Sequence, residues 1–289
     1  MYKIAHISDL HISYKDEDGN GKKLVELLHD IKEKDCDHVF ITGDIVENPG
    51  EQDLHFVREI LVKFDLMHQE RLSIVPGNHD IFGGAYKEGL GSINFPLRCR
   101  NTDYEEKLGM FIEVFRETFP ENAYYPYMKI MDNVTVTALN SVQKWSVDEN
   151  PEGSNGYIET EDFLMLKKIF KKDESTTKNK IVILHHHLNI PELNDEYPAH
   201  SLWLKTINWK MKLHNRKALL KFLSKNKASI ICHGHTHINE VYMERGITMV
   251  NSSACLVPLT DDGIRSYNLL YIPDKEDENE YLKIERVYI

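Results

Sequence analysis

The sequence has few cysteines and no long apolar run, and each shortage narrows the classes of protein it can belong to. Its four cysteines are scattered and none lies in a Cys-x-x-Cys pair, which argues against a disulfide framework and a thiolate zinc site. No stretch approaches the roughly 20 apolar residues that cross a bilayer, so we expect no membrane partner. The chain also begins in an apolar strand without a basic leader, which favours a cytoplasmic location.

Basic residues are also in deficit. Lysine and arginine number 35 against 46 acidic residues, and the formal net charge is -11. A protein that binds nucleic acid through its phosphates usually presents a basic face, so this balance does not favour a nucleic-acid partner. What the chain does have is length and apolar content, with 289 residues of which 41% are hydrophobic. These values predict a single domain over residues 1–289 with a full hydrophobic core.

Short β-branched runs alternate with longer amphipathic stretches, which is typical of parallel βαβ units. The predicted strands cover residues 2–7, 38–42, 72–75, 124–130, 134–139 and 181–184. The predicted helices cover residues 24–34, 53–64, 104–117 and 161–170. Irregular segments near 83–101 and 189–212 are interpreted as inserted loops, and the chain after Ile230 is predicted to be mostly strands. The sequence therefore predicts an α/β fold.

Side chains able to bind metal ions follow five of the predicted strands, at the point where each strand ends. The five motifs are Asp9-Leu10-His11, Gly43-Asp44, Gly77-Asn78-His79-Asp80, His185-His186-His187 and His233-Gly234-His235-Thr236-His237. A single Asp-x-His or Gly-Asp motif is weak, because such residues are common in surface turns. Five together point to one site, since the loops after parallel strands meet where α/β sheets bind ligands.

The order of these motifs resembles the calcineurin-like metallophosphoesterase superfamily, and the match extends from Asp9 to His237. The resemblance implies a four-layer α/β/β/α sandwich, in which two packed mixed sheets are flanked by helices. It also implies two divalent metal ions at the ends of the strands. The ligands that it implies are Asp9, His11 and His237 for the first ion, Asn78 and His235 for the second, and Asp44 as the bridge.

The remaining ligand is expected among the three adjacent histidines, where members of the superfamily usually have His-x-Pro and this chain has Leu188 in place of the proline. We assign His186, with His185 as the alternative. Oxygen and imidazole donors without thiolate suit manganese, iron, zinc or cobalt. We expect manganese or iron first, with zinc or cobalt as alternatives. His79, which follows a ligand, is predicted to be catalytic, either by protonating the leaving group or by stabilising the transition state, and Asp80 is predicted to orient its ring.

The motifs also distinguish branches of the superfamily. Serine/threonine protein phosphatases carry Gly-Asp-x-Val-Asp-Arg-Gly and Gly-Asn-His-Glu, whereas this chain has Gly-Asp-Ile-Val-Glu-Asn-Pro and Gly-Asn-His-Asp. The pattern resembles more the branch that includes bacterial cyclic-nucleotide phosphodiesterases. It implies hydrolysis of a small phosphodiester, such as a nucleotide, by a water or hydroxide that two metal ions activate. A nuclease, a phosphomonoesterase and a non-catalytic scaffold are the alternatives left open.

Overall fold

The computed structural model describes residues 1–15, 19–84, 97–131, 133–172, 179–189, 211–258, 263–273 and 281–289. Its strands are β1 (Tyr2–Ile7), β2 (His38–Thr42), β3 (Leu72–Val75), β4 (Tyr127–Met131), β5 (Val134–Ala138), β6 (Asn179–Ile183), β7 (Ile230–His233), β8 (Glu240–Glu244), β9 (Ile247–Asn251), β10 (Ser266–Ile272) and β11 (Lys283–Tyr288). Its helices are α1 (Asn20–Glu33), α2 (Glu51–Lys63), α3 (Asn78–Phe82), α4 (Tyr104–Val114), α5 (Thr160–Lys172) and α6 (Arg216–Lys225). None of the helices in these ranges combines the length and the apolar character that a membrane span requires.

The strands form two mixed sheets. The first has the order β11-β10-β1-β2-β3, in which β1, β2 and β3 are parallel, whereas β10 pairs antiparallel with both β1 and β11. The second has the order β4-β5-β6-β7-β9-β8, in which β5, β6, β7 and β9 are parallel and the edge strands β4 and β8 are antiparallel. Because parallel strands end on the same side of a sheet, each sheet sends several loops out at one edge.

Successive side chains of the second sheet pack alternately into two hydrophobic layers, one on each face of the sheet. Ile181 and Ile183 of β6 pack into the core that is shared with the first sheet, α1, α2 and α4, whereas Val182 packs with α5 and α6. The separation follows from strand geometry, because successive side chains point to opposite faces. The second sheet therefore lies between the first sheet and a layer of helices. The α/β/β/α sandwich implied by the resemblance is confirmed.

Most predicted elements agree with the observed ones. β1, β2 and β3 have the predicted bounds, and the β4–β5 hairpin and α5 lie where the pattern places them. Helix α6 is not among the predicted elements, although the buried Leu219, Leu220 and Leu223 of this helix lie at helical spacing. Most of the two predicted insertions, at residues 85–96 and 190–210, falls outside the described residues, and residues 97–101 form a helical turn.

Candidate metal centre

The predicted motifs converge at the carboxyl ends of the parallel strands of both sheets. Four candidate ligands are each the second residue after a strand, namely Asp9 after β1, Asp44 after β2, His185 after β6 and His235 after β7. The backbone angle φ is 52° at Asp9, 46° at His11, 49° at Asp44, 76° at His235 and 58° at His237. Residues other than glycine adopt this left-handed conformation only in a few per cent of cases, with Asp and His among the more tolerant types, so the surrounding fold holds these five residues in it.

Asp9, His11 and His237 form one group, whose ligand atoms lie within 4.8 Å of one another. His237 Nε2 lies 3.5 Å from Asp9 Oδ1 and 3.1 Å from His11 Nε2. The buried carboxylate of Asp9 also accepts the backbone N–H of His235, at 3.1 and 3.0 Å from its two oxygens. Burial alone would raise the pKa of Asp9, but His237 and His185 lower it overall. The carboxylate is therefore ionised, as a metal ligand must be.

Asp44, His185 and His235 form a second group within the same limit. His185 Nε2 lies 3.5 Å from Asp44 Oδ2, 3.0 Å from His235 Nδ1 and 3.2 Å from the side-chain oxygen of Asn78. All four side chains are buried. A carboxylate oxygen, an amide oxygen and two imidazole nitrogens therefore face one small space.

Asp44 lies between the two groups. Its Oδ2 is 3.5 Å from His185 Nε2 in the second group and 4.0 Å from His11 Nε2 in the first. Its Oδ1 accepts the backbone N–H of His79 at 2.8 Å, which fixes the orientation of the carboxylate. A single carboxylate that faces both groups has the geometry required of the predicted bridge.

The geometry favours the alternative, His185, over His186. His186 Nδ1 lies 2.9 Å from Ser141 Oγ, which also accepts the backbone N–H groups of both histidines. The Ser141 hydroxyl therefore donates to His186 Nδ1, so the ring proton of His186 is on Nε2 and the ring has no free lone pair. His185, by contrast, directs Nε2 into the second group. We replace His186 with His185 as the candidate ligand.

Two candidate ligands have partners that fix the ring proton on the side away from the groups. His185 Nδ1 lies 2.8 Å from the carbonyl oxygen of Thr42, which can only accept, so Nδ1 carries the proton and Nε2 a lone pair. His11 Nδ1 likewise lies 3.1 Å from Glu47 Oε2. Histidines that bind metal ions usually donate their other ring N–H to a carbonyl or a carboxylate. Both rings are thus held in the tautomer that a metal ion requires.

Glu47 is a site residue to which the motifs assign no role. Its Oε2 lies 3.1 Å from His11 Nδ1 and 3.5 Å from His79 Nδ1. Burial alone would lower the pKa of His79, but the carboxylates of Asp44 and Glu47 outweigh burial and raise the pKa to about 9. They favour the protonated ring, which is the form that a proton donor needs. The sequence signal for Glu47 is its place three residues after Asp44, where the protein phosphatase motif also has an acidic residue.

Asp80 binds the backbone rather than the ring of His79. Its fully buried carboxylate accepts the N–H groups of Ile45 at 2.9 Å, Val46 at 3.0 Å and Gly77 at 2.8 Å. These bonds tie the loop after β2 to the turn before α3. The predicted orienting role therefore belongs to Glu47, and Asp80 positions the loop that carries the bridging carboxylate.

Gly234 is required by close packing in the last motif. A Cβ atom at this position would overlap Ser8 Oγ and Asp9 Oδ2. The Gly234 N–H also donates to the carbonyl oxygen of His185 at 3.0 Å. Glycine therefore lets the loop after β7 approach the end of β1 closely enough for its next two histidines to reach Asp9.

The donor set fits two transition-metal ions. The donors are carboxylate and amide oxygens together with imidazole nitrogens, a combination that suits such ions. In the second group two imidazole nitrogens face each other at 3.0 Å, and in the first group two do so at 3.1 Å. Lone pairs at this separation repel each other unless a proton or a cation lies between them. Each group therefore has the chemistry of a cation site, and Asp44 is available to both.

The fold is a four-layer sandwich, and one carboxylate lies between two groups of candidate ligands. These features define a class of proteins, the two-metal hydrolases. The chain belongs to the calcineurin-like phosphoesterase family, whose sequence profile matches residues 2–239. As a member of this family it is a metal-dependent phosphoester hydrolase.

Solved structures share this fold. A dimetal phosphatase from Danio rerio has a TM-score of 0.63 and 13% identity, and the match covers 100% of this chain and 98% of that chain. A purple acid phosphatase from seeds of yellow lupin (Lupinus luteus) has a TM-score of 0.57 and 14% identity, and the match covers 93% of this chain and 49% of that chain. No curated protein matches the chain significantly. At these identities the likeness establishes the fold alone.

Proposed function

We propose that this protein hydrolyses a small phosphodiester with the help of two divalent transition-metal ions, manganese or iron in preference to zinc or cobalt. The observation that carries the proposal is the position of Asp44, whose Oδ2 faces ligand nitrogens of both groups at 3.5 and 4.0 Å. Family membership supports phosphoester hydrolysis. The restriction to a diester is inferred from the charges around the site.

The proposed ligands come from both groups. They are Asp9, His11 and His237 for the first ion, Asn78, His185 and His235 for the second, and Asp44 for both. When bound, two such ions lower the pKa of a water molecule and neutralise the charge that develops on the phosphoryl oxygens.

His79 is the proposed proton donor. Its Nε2 lies 3.9 Å from Asp44 Oδ2, and its side chain is 21% exposed, so the ring borders the ligand groups and is also open to solvent. Glu47 faces Nδ1 of the same ring at 3.5 Å. The carboxylate therefore holds the ring by one nitrogen and leaves the other to donate a proton to the leaving alkoxide.

The charge of Glu47 favours a diester over a monoester. Burial would raise the pKa of Glu47, but the hydrogen bond with His11 and the nearby ring of His79 lower it to about 2, so the carboxylate is ionised. A phosphomonoester loses its second proton at about pH 6 and is then a dianion, whereas a diester has a single ionisable proton and keeps one negative charge. A carboxylate beside the proton donor repels the dianion more strongly than the monoanion.

The proposal is tested with two esters that differ in charge. Metal-loaded protein should hydrolyse bis-p-nitrophenyl phosphate with a kcat/KM at least about tenfold above that for p-nitrophenyl phosphate, a difference of about 1.4 kcal/mol. Glu47→Gln should narrow this ratio, because it removes the repelling charge. Glu51→Gln is the matched control, because the Glu51 side chain is 75% exposed on the surface of α2 and its charge is solvated.

Two results would contradict the proposal in different ways. A higher kcat/KM on the monoester would refute the diester assignment and leave the family activity intact. Protein that carries two ions per chain and hydrolyses neither ester would refute catalysis and favour the scaffold alternative.

A further inference from the structure

Glu47 and His79 both contact a two-residue segment, Gly83 and Gly84, that follows α3. The N–H of Gly83 donates to the carbonyl oxygen of His79 at 2.9 Å, and the N–H of Gly84 donates to the carbonyl oxygen of Glu47 at 2.8 Å. A Cβ atom at Gly84 would overlap Glu47 Oε1 and lie 2.8 Å from His79 Cε1. The backbone of this segment therefore contacts both side chains of the proposed proton-donating pair.

Arg98 holds the segment in place. Its Nη1 donates to the carbonyl oxygen of Gly84 at 3.1 Å, and its Nη2 donates to Asn48 Oδ1 at 2.8 Å. The guanidinium packs directly against Gly83, because a Cβ atom at that position would overlap it. The angle φ at Gly83 is 74°, a conformation that glycine adopts without strain. Arg98 thus links the segment after α3 to the segment after β2.

We propose that Arg98 is a positioning residue that keeps the Glu47 carboxylate against the His79 ring. Both residues that Arg98 binds are attached to Glu47. Asn48 follows Glu47 in the chain, and the N–H of Gly84 donates to the carbonyl oxygen of Glu47. This inference rests on the proposed function, in which His79 protonates the leaving group. It adds a residue, Arg98, that the ligand motifs do not contain.

Arginine is suited to this task by the shape of its side chain. The planar guanidinium presents its N–H donors in a fixed fork, and here two nitrogens of the fork bind acceptors on two different segments. A lysine ammonium is a single compact charge on a flexible stem and does not reproduce both bonds in one geometry. Arg98→Lys should therefore lower kcat in the same direction as Arg98→Ala, but by a smaller factor.

Kinetics on two phosphodiesters that differ only in the leaving phenol test the positioning role. Arg98→Ala should lower kcat for methyl phenyl phosphate by about tenfold or more, which is the usual cost of losing a group that orients a functional side chain. The loss on methyl p-nitrophenyl phosphate should be roughly threefold or less, because p-nitrophenolate leaves with little need for a proton. KM and metal content should stay at the wild-type values. Arg100→Ala, an exposed arginine on the same helical turn, should change neither rate.

His79→Ala provides the reference for this experiment. It should show the same dependence on the leaving group, and if it does not, the proton donor of the proposed function is wrong. If His79→Ala behaves as expected, equal losses on both esters in Arg98→Ala overturn the positioning role. A rise in KM in Arg98→Ala also overturns it, because that result would mean a direct contact with the substrate.

Amide hydrogen exchange tests the same inference without turnover. In metal-loaded protein without substrate, the N–H groups of Gly83 and Gly84 should exchange about tenfold faster in Arg98→Ala than in the wild type, because the segment opens more often. Arg100→Ala should leave both rates unchanged. Unchanged exchange at both glycines in Arg98→Ala would overturn the inference even if the protein proves to be an active phosphodiesterase.

Discussion

Thr42 and Ser141 occupy no ligand position themselves, yet they decide which of two neighbouring histidines can bind a metal ion. The Thr42 carbonyl oxygen accepts a hydrogen bond from Nδ1–H of His185 at 2.8 Å, so the lone pair of His185 is on Nε2. The Ser141 hydroxyl donates to Nδ1 of His186 at 2.9 Å and so occupies that lone pair. We therefore propose that two identical side chains differ in function because their hydrogen-bond partners differ.

This difference predicts opposite results for two alanine variants. His185→Ala should lose one of two metal ions, because the second group loses the nitrogen that faces Asp44, His235 and Asn78. His186→Ala should keep both ions, since its ring supports Ser141 outside the groups. Metal analysis of the purified variants measures the difference. Loss of metal in His186→Ala with full occupancy in His185→Ala would reverse the assignment.

At the scale of single residues, strand ends in the sequence reveal most candidate ligands but not which of two adjacent histidines points inward. The spacing of Asp9, Asp44 and His235 after their strands is a local property and can be read from the motifs. The choice of His185 depends on Thr42, which is 143 residues away. The motif marks Glu47 as an acidic position, but its role is not visible in the sequence, since its two histidine partners come from other loops.

The loop after β2 and the short helix α3 depend on one buried carboxylate. Asp80 lies in the first turn of α3 and accepts three backbone N–H groups, from Ile45, Val46 and Gly77. A carboxylate can accept all three, because both of its oxygens are acceptors. The position of Asp44 at the start of this loop therefore depends on the side chain of Asp80.

Asp80→Asn should destabilise this part of the molecule. An asparagine has one acceptor oxygen, and its NH2 group would face a backbone donor, so one buried N–H loses its partner at a cost of about 1–3 kcal/mol. Denaturant unfolding of the metal-stripped protein measures this cost. Asp65→Asn is the matched control, because the Asp65 side chain is 88% exposed and should tolerate the change. An equal free energy of unfolding for Asp80→Asn and the wild type would contradict the account.

At the scale of elements, the apolar pattern locates strands better than short helices. β1, β2 and β3 are short, mostly apolar runs followed by polar or turn-forming residues, so their ends are visible in the sequence. α3 has five residues, fewer than two full turns, and no apolar period distinguishes it from a turn. Its start is set by the turn at Gly77 and by the bonds of Asp80, both of which depend on the loop after β2.

In the whole molecule, the two ligand groups join the two sheets. The first group takes Asp9 and His11 from the loop after β1 of the first sheet and His237 from the loop after β7 of the second. The second group takes Asp44 from the first sheet and His185 from the second. Metal ions in these groups therefore link the sheets, and the relative position of the sheets determines whether the ligands meet.

The order of the strands is the part of the whole fold that local patterns do not predict. β10 pairs antiparallel with β1 in the register Tyr2 with Ile272, which joins the two ends of the described chain in one sheet. No periodicity in either segment indicates its partner. The resemblance of the motifs to a known family predicts the four-layer architecture. The pairing of β1 with β10 is visible only in the structure.

The number of metal ions per chain tests the central claim most directly. Metal analysis of protein loaded with Mn²⁺ should give two ions per chain in the wild type. In Asp44→Ala it should give one ion or none, because the carboxylate between the groups is gone, and hydrolysis of bis-p-nitrophenyl phosphate should fall with it. An Asp44→Ala variant that retains two ions and full hydrolysis would contradict a centre built around Asp44.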